Sequence, residues 1–285
     1  MNVCSIKKFL SQRAMAITAL ACFVFWAVGQ NTTKTPADVP SQSLLDQLQA
    51  LNDADQYEET LRFADSIALV FEANELRADW YKALRIKTIA QKNHRQARTA
   101  IVQLLPIVQA QILDDSITAK LYGLIGYAFL NAREFDQGAW YYERCLTGLL
   151  RHQCTLGLGS TYTNLGFVLK ERGDFQAARQ YYLSALPLLR KEGNAPAISE
   201  AFYNLGDISR FLFDFEAARD YYRQMLEAEP ERKYDWASGM GWTYANQGRY
   251  EEALAHFRAS CQLEPCAEDL ARIMARCSEA LGDTM

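Results

Sequence analysis

An all-α solenoid of helix-turn-helix repeats, closed by a C-terminal capping helix, is the fold class that this 285-residue sequence predicts. Three observations predict it. Apolar residues make up 49% of the chain and charged residues 22%, a globular composition rather than a disordered or collagenous one. Glycine and proline are sparse, 15 and 7, which leaves too few tight turns for a sandwich or barrel of many short strands. The segments around Gly126, Gly166, Gly206 and Gly241 lie 40, 40 and 35 residues apart and carry one downstream pattern.

Taken in order, residues 1–29 stand outside the fold. Lys7, Lys8 and Arg13 precede an apolar run from Ala14 to Val28, and no acidic residue occurs there. This is the layout of a secretory signal peptide, and the run is short beside the ~20 residues of a membrane span. Ala27-Val28-Gly29 offers small residues for cleavage, which would leave Gln30 first, 256 residues and a net charge of -7 in place of -4. An uncleaved N-terminal anchor is the alternative, and lipidation at Cys22 is disfavoured because the apolar run continues past it. Residues 30–40 hold Pro36 and Pro40 without periodicity and are expected to be a disordered linker. Asn31-Thr32-Thr33 within it fits a glycosylation acceptor, which matters only on a eukaryotic secretory route.

The repeats follow from Ser41. Nine residues after each glycine comes an aromatic (Phe135, Phe175, Phe215, Tyr250), and twelve after comes a small residue (Gly138, Ala178, Ala218, Ala253). Sixteen after comes another aromatic (Tyr142, Tyr182, Tyr222, Phe257). In one unit Tyr162, Leu165, Gly166 and Leu169 form the stripe of a first helix, and Phe175, Ala178, Tyr182 and Ala185 that of a second, with Gly173-Asp174 as the turn. Glycine inside a helix costs about 1 kcal/mol, so close approach of Gly166 to Ala178 is expected to offset it. After Pro265, Leu270, Ile273, Met274, Cys277 and Leu281 make a lone stripe, with Arg272 and Arg276 opposite and Gly282 as the stop. This is a capping helix for the open end of the array.

These residues resemble the tetratricopeptide repeat, whose pattern is met by Tyr162, Leu165, Gly166, Leu169, Ala178, Tyr182 and Ala185. Pro230 and Pro265 fit its closing proline. Two weaker units lie upstream, one on Tyr81, Leu84, Ala97, Ile101 and Leu104 with Arg85 in the glycine place, the other on Leu44, Leu51, Tyr57, Ala64 and Ile67. The resemblance implies a right-handed α-solenoid of about six repeats, near 41–74, 78–111, 119–152, 159–192, 199–232 and 234–267, with 268–285 as cap and tail. Against the 34-residue repeat of this family the 40-residue intervals are long, and the extra residues are expected between units, as in Glu192-Gly193-Asn194-Ala195-Pro196. Pro106 and Pro187 are expected to kink or end their helices.

Longer units with Asn-Leu-Gly resemble the subclass of kinesin light chains and bacterial peptide-sensing regulators. That resemblance implies an Asn facing an inner groove and bonding the backbone of an extended peptide; Asn164 and Asn204 hold the position, with Leu124 and Gly239 in neighbouring units. The spacing places Phe167 and Lys170 beside Asn164, and Asp207 and Arg210 beside Asn204, on a face next to the core stripe. Tyr127, Phe167 and Trp242 each follow a motif glycine. The face is either a peptide groove, with both Asn side chains outside the core, or rings packing between first helices with the Asn residues merely solvated. The chaperone-tail clamp of the family is disfavoured, since Thr163, Phe167, Glu200 and Asp235 stand where its cations belong.

Other functions find little support. A pI near 5.5 is the wrong sign for a phosphate-backbone binder, so no nucleic acid partner is expected. His94, His152 and His256 have no ligand spacing, so no metal and no cofactor are expected. Gly157-Leu158-Gly159 reads as a helix start with Ser160 or Thr161 as its cap, and no nucleophile motif occurs. Once Cys4 and Cys22 leave with the signal, Cys145 with Cys154, or two of Cys261, Cys266 and Cys277, are candidates for a bridge. The reading is an exported (periplasmic or secreted), non-enzymatic scaffold that binds a protein or peptide in a concave groove. The alternative is a membrane-tethered sensory or regulatory subunit that keeps the N-terminal segment.

Overall fold

The computed structural model describes residues 40–73, 75–93, 95–110 and 116–282. The expected signal peptide, residues 30–39 of the linker, Asn31 and His94 lie outside the described residues. Those described form thirteen helices and no strand: α1 Ser41–Asp53, α2 Tyr57–Ala73, α3 Arg77–Asn93, α4 Ala97–Ala110, α5 Ser116–Asn131, α6 Phe135–Arg151, α7 Leu158–Glu171, α8 Phe175–Glu192, α9 Ala195–Phe211, α10 Phe215–Ala228, α11 Lys233–Asn246, α12 Tyr250–Leu263 and α13 Glu268–Ala280. The architecture is all-α, helix pairs stacked as in an α-solenoid. It falls into two compact units, divided between Tyr141 and Tyr142.

In the first unit, Leu48, Ile67, Phe71, Ala83, Leu121 and Ile125 form one apolar core. In the second, α7 pairs with α8, α9 with α10 and α11 with α12, while α8 packs on α9 and α10 on α11. Within a pair the chain reverses through one left-handed residue placed seven after the motif glycine: Arg133, Gly173, Phe213 and Gly248. The second helix then starts two residues later. Asp55 and Arg95 play the same part upstream, ahead of Tyr57 and Ala97.

That geometry corrects the register of the second upstream unit. Counting back from Arg95, the glycine place belongs to buried Thr88, not to exposed Arg85, and Ala100 and Leu104 fill the downstream core positions. A shift of three residues keeps almost the same helical face, so apolar periodicity could not tell the two frames apart. The leucine-like place before Thr88 is taken by Lys87, which is buried and bonds Asp65 at 2.6 Å.

The motif glycines make room chiefly for the ring sixteen residues on, and Gly166 also for the backbone of the small residue twelve on, as expected. A Cβ at Gly206 would stand 2.6 Å from the Tyr222 ring, and one at Gly241 would stand 2.6 Å from Phe257. At Gly166 it would meet Tyr182 at 3.0 Å and the Ala178 carbonyl at 3.3 Å.

Between Gly166 and Gly206 the long interval comes from a longer helix and not a longer link, whereas between Gly126 and Gly166 both the helix Phe135–Arg151 and the link 152–157 are longer than their counterparts before Gly241. α8 runs 18 residues to Glu192, Gly193 closes it, Asn194 caps α9 by accepting from the Ala197 amide, and α9 already contains Ala195 and Pro196. Both α10 and α12 are 14 residues long and stop at extended Glu229 and Glu264, the conformation favoured just before Pro230 and Pro265. Pro106 and Pro187 do not end their helices, which continue to Ala110 and Glu192. The carbonyls they leave unbonded belong to Val102 and Leu183, 70% and 39% exposed, where water can bond them.

α7 begins at Leu158 behind left-handed Gly157, and neither Ser160 nor Thr161 caps it; the Thr161 hydroxyl instead bonds back to the Gly157 carbonyl at 2.8 Å. At the other end α13 lays Leu270 and Cys277 on Ala253, Leu254 and Phe257 of α12, and Gly282 ends it at positive φ. Cys261 and Cys266 form a disulfide between the last turn of α12 and the link to α13, leaving Cys145, Cys154 and Cys277 as thiols.

Candidate functional site

In the second unit α7, α9 and α11 are neighbours, so residues at equivalent positions of the three first helices fall on one shared face. Six of the eight residues singled out from the sequence meet there: Phe167, Lys170, Asn204, Asp207, Arg210 and Trp242. Asn164 shares their face on α7. Tyr127 belongs to α5 in the other unit, where burial raises its hydroxyl pKa above the ordinary tyrosine value.

The six are joined by a polar network. The Lys170 ammonium donates to the Asn204 side-chain oxygen at 2.6 Å, lies 3.9 Å from Asp207 and stands over the Phe167 ring at 5.2 Å. Asp207 accepts from Arg210 at 3.2 Å and from the Tyr222 hydroxyl at 2.8 Å. Arg210 in turn lies 4.4 Å over Phe211 and 5.9 Å from Trp242, which meets Phe257 edge-on. Burial works against the Arg210 charge, but Asp207 and Tyr222 beside it hold its pKa above the usual arginine range. Burial, then the Asp207 charge, pushes the Tyr222 hydroxyl well above its ordinary value.

Asn204 departs from expectation. It is 2% exposed, and its amide nitrogen donates to both the Glu200 carbonyl and the Glu200 carboxylate at 2.9 Å. With its oxygen held by Lys170, both ends of the amide are in use. Asn164 is different: partly buried, it makes no side-chain hydrogen bond among the described residues. Only one rung of the expected ladder is therefore open. The reason is the neighbour on the preceding first helix, since Lys170 reaches Asn204 across 34 residues of sequence.

Sequence reasoning missed Arg232 and Tyr203 as members of this face, and read Glu200 there only as a residue that displaces the cations of a chaperone-tail clamp. Arg232 bridges Asp235 at 2.6 Å and Glu200 at 3.1 Å, and stands 5.1 Å over the Tyr203 ring. Burial and the Asp207 charge raise the Tyr203 hydroxyl pKa strongly. Beneath the face, Tyr182 of α8 is fully buried and its hydroxyl has no partner among the described residues, whereas Tyr222, its counterpart one repeat later, donates to Asp207. The position following the glycine explains the difference: Asp207 in α9 is an acceptor and Phe167 in α7 is not. That pairing was readable in the repeat alignment, one residue after each glycine against sixteen after.

Elsewhere, His256 packs between Trp236, edge-on at 5.4 Å, and Tyr244, stacked at 5.3 Å, and burial lowers its pKa. Among the described residues no group of three His, Cys, Asp or Glu side chains could hold a metal, and no helix is long and apolar enough to cross a membrane.

Comparison with known proteins matches the tetratricopeptide repeat over residues 157–230 and again over 235–265. No curated protein matches the chain. Among solved structures, BtubC (BKLC) from P. vanneervenii is similar in fold at a TM-score of 0.57 and 15% identity, over 84% of this chain and 92% of that one. The MamA protein aligns over 58% of this chain and 83% of its own, with a TM-score of 0.45 and 18% identity.

Proposed function

We propose that this chain, a tetratricopeptide-repeat protein, is an exported, non-enzymatic scaffold that holds a peptide or partner protein against the face shared by α7, α9 and α11. Repeats of this kind serve protein–protein interaction by presenting extended surfaces. The observation that carries the finer reading is Asn164, whose amide is uncommitted beside the Phe167 ring. An amide donates and accepts together, so it can pair with both polar groups of one peptide unit whatever the ligand's side chains. Lys170, Asn204, Asp207 and Arg210 are engaged with one another, which suits a rigid platform better than a set of nucleophile, base and orienting group. Export is supported by the signal-like layout of residues 1–29, and the Cys261–Cys266 disulfide suits an oxidising compartment.

The test places a photo-crosslinking residue at exposed Ser160, one turn before Asn164 on the same side of α7, in the full chain in its native host. A crosslinked protein or peptide is expected, with its binding weakened by about 1 to 2 kcal/mol in Asn164→Ala and with thermal stability unchanged. Asn204→Ala, in contrast, should lower stability, because it strands the Lys170 ammonium in a closed setting. Undiminished crosslinking in Asn164→Ala would overturn the reading.

A further inference from the structure

On the shared face the cations are drawn in, with Asp207 among them, and the other carboxylates are left further out. Lys170 and Arg210 side chains are 12% and 11% exposed and Arg232 is 20% exposed, each engaged by carboxylate or amide partners. Glu200 keeps 49% of its side chain exposed and Asp235 31%, and Glu171 at the end of α7 is also exposed. A ligand approaching α7, α9 and α11 therefore meets carboxylates first, while the compensating positive groups lie beneath them. Four carboxylates, Glu171, Glu200, Asp207 and Asp235, stand against three cations.

The unpartnered Tyr182 hydroxyl points the same way. The residue is fully buried, and the charges acting on its hydroxyl after burial are Glu200, Asp207 and Glu171, three of those carboxylates. A buried donor with no acceptor among the described residues leaves a hydrogen bond unmade beneath this acidic face. Phe167 and Trp242 already hold Lys170 and Arg210 near their rings, so the charge left to attract a ligand is that of the outer carboxylates. From this we infer that the ligand of the face is an extended basic segment: its backbone pairs with Asn164 and its Lys or Arg side chains pair with Glu171 and Glu200. The inference rests on the groove reading given above.

The probes are three labelled ten-residue peptides of equal Gly and Ser content, carrying alternating Lys/Arg, alternating Glu, or no charge. Fluorescence anisotropy with the full-length chain should show the basic peptide binding at least tenfold more tightly than the acidic one. Raising salt to about 0.5 M should weaken it several-fold, since exposed charges are screened beyond a few ångströms there. Glu171→Gln with Glu200→Gln should cost a further several-fold at nearly unchanged melting temperature, because a glutamine at 200 still accepts from Asn204 and the Arg232 pair it gives up is an exposed one. Equal or tighter binding of the acidic or neutral peptide overturns the charge preference, and the groove reading survives if that binding is lost in Asn164→Ala. Basic binding that ignores the double variant overturns it too, as attraction to the acidic chain at large. If Asn164→Ala changes no peptide's binding, it is the groove reading itself that fails.

Discussion

Gly206 shows how one absent methyl group supports a whole repeat. Its missing Cβ leaves 2.6 Å to the Tyr222 ring, and that ring cannot swing aside because its hydroxyl is held by Asp207 at 2.8 Å. Gly138 occupies a different place in the repeat, where an added Cβ would find its nearest neighbour at an ordinary 3.4 Å. Gly206→Ala should therefore lose about 2 kcal/mol through overpacking. Gly138→Ala should be neutral or gain up to about 1 kcal/mol from helix propensity. Urea unfolding of the two variants checks this; equal effects would mean that ring contact does not decide which glycines matter.

Helix starts divide into two kinds in the second unit. Asp174 and Asp214 accept from the Ala177 and Ala217 amides at 3.2 Å and so cap α8 and α10, while Arg249 in the same place before α12 gives no side-chain cap. Arg249 instead pairs with Glu252 at the surface and stands 4.6 Å over Tyr244. Asp214→Ala should cost about 1 kcal/mol, the usual worth of an N-cap. Arg249→Ala should cost less, since an exposed ion pair contributes between 0 and about 1 kcal/mol. Thermal melts at matched pH and salt would show the reverse order if the caps were unimportant here.

At the scale of the molecule, packing in the second unit runs from each helix pair to the next, and α13 covers the last. Stability in such an array is close to a sum over neighbours. Removing residues from Glu268 onward would uncover Ala253, Leu254 and Phe257 while sparing the Cys261–Cys266 disulfide. Hydrogen exchange should then rise in α11 and α12, residues 233–263, with α7 and α8 unchanged. A uniform rise across the unit would show that the pairs unfold together instead of in sequence.

What the sequence determined by itself was periodic. Gly166, Gly206 and Gly241 with their rings at sixteen residues define the helix pairs, and the stripe from Leu270 to Leu281 defines the cap, because apolar spacing along one chain maps directly onto one helical face. Three things were settled only by tertiary structure. The frame of α3 was one, since Arg85 and Thr88 lie on nearly one face and only the left-handed turn at Arg95 separates them. The choice of Cys266 as partner for Cys261 was another, because Cys277 is turned into the α12–α13 core. The fate of the asparagines was the third: Asn164 and Asn204 occupy the same motif place, yet Lys170 from the neighbouring helix consumes one and, among the described residues, no side chain bonds the other. A repeat fixes where a side chain sits on its own helix, but its hydrogen-bond partners come from the next repeat, and those residues are free to differ.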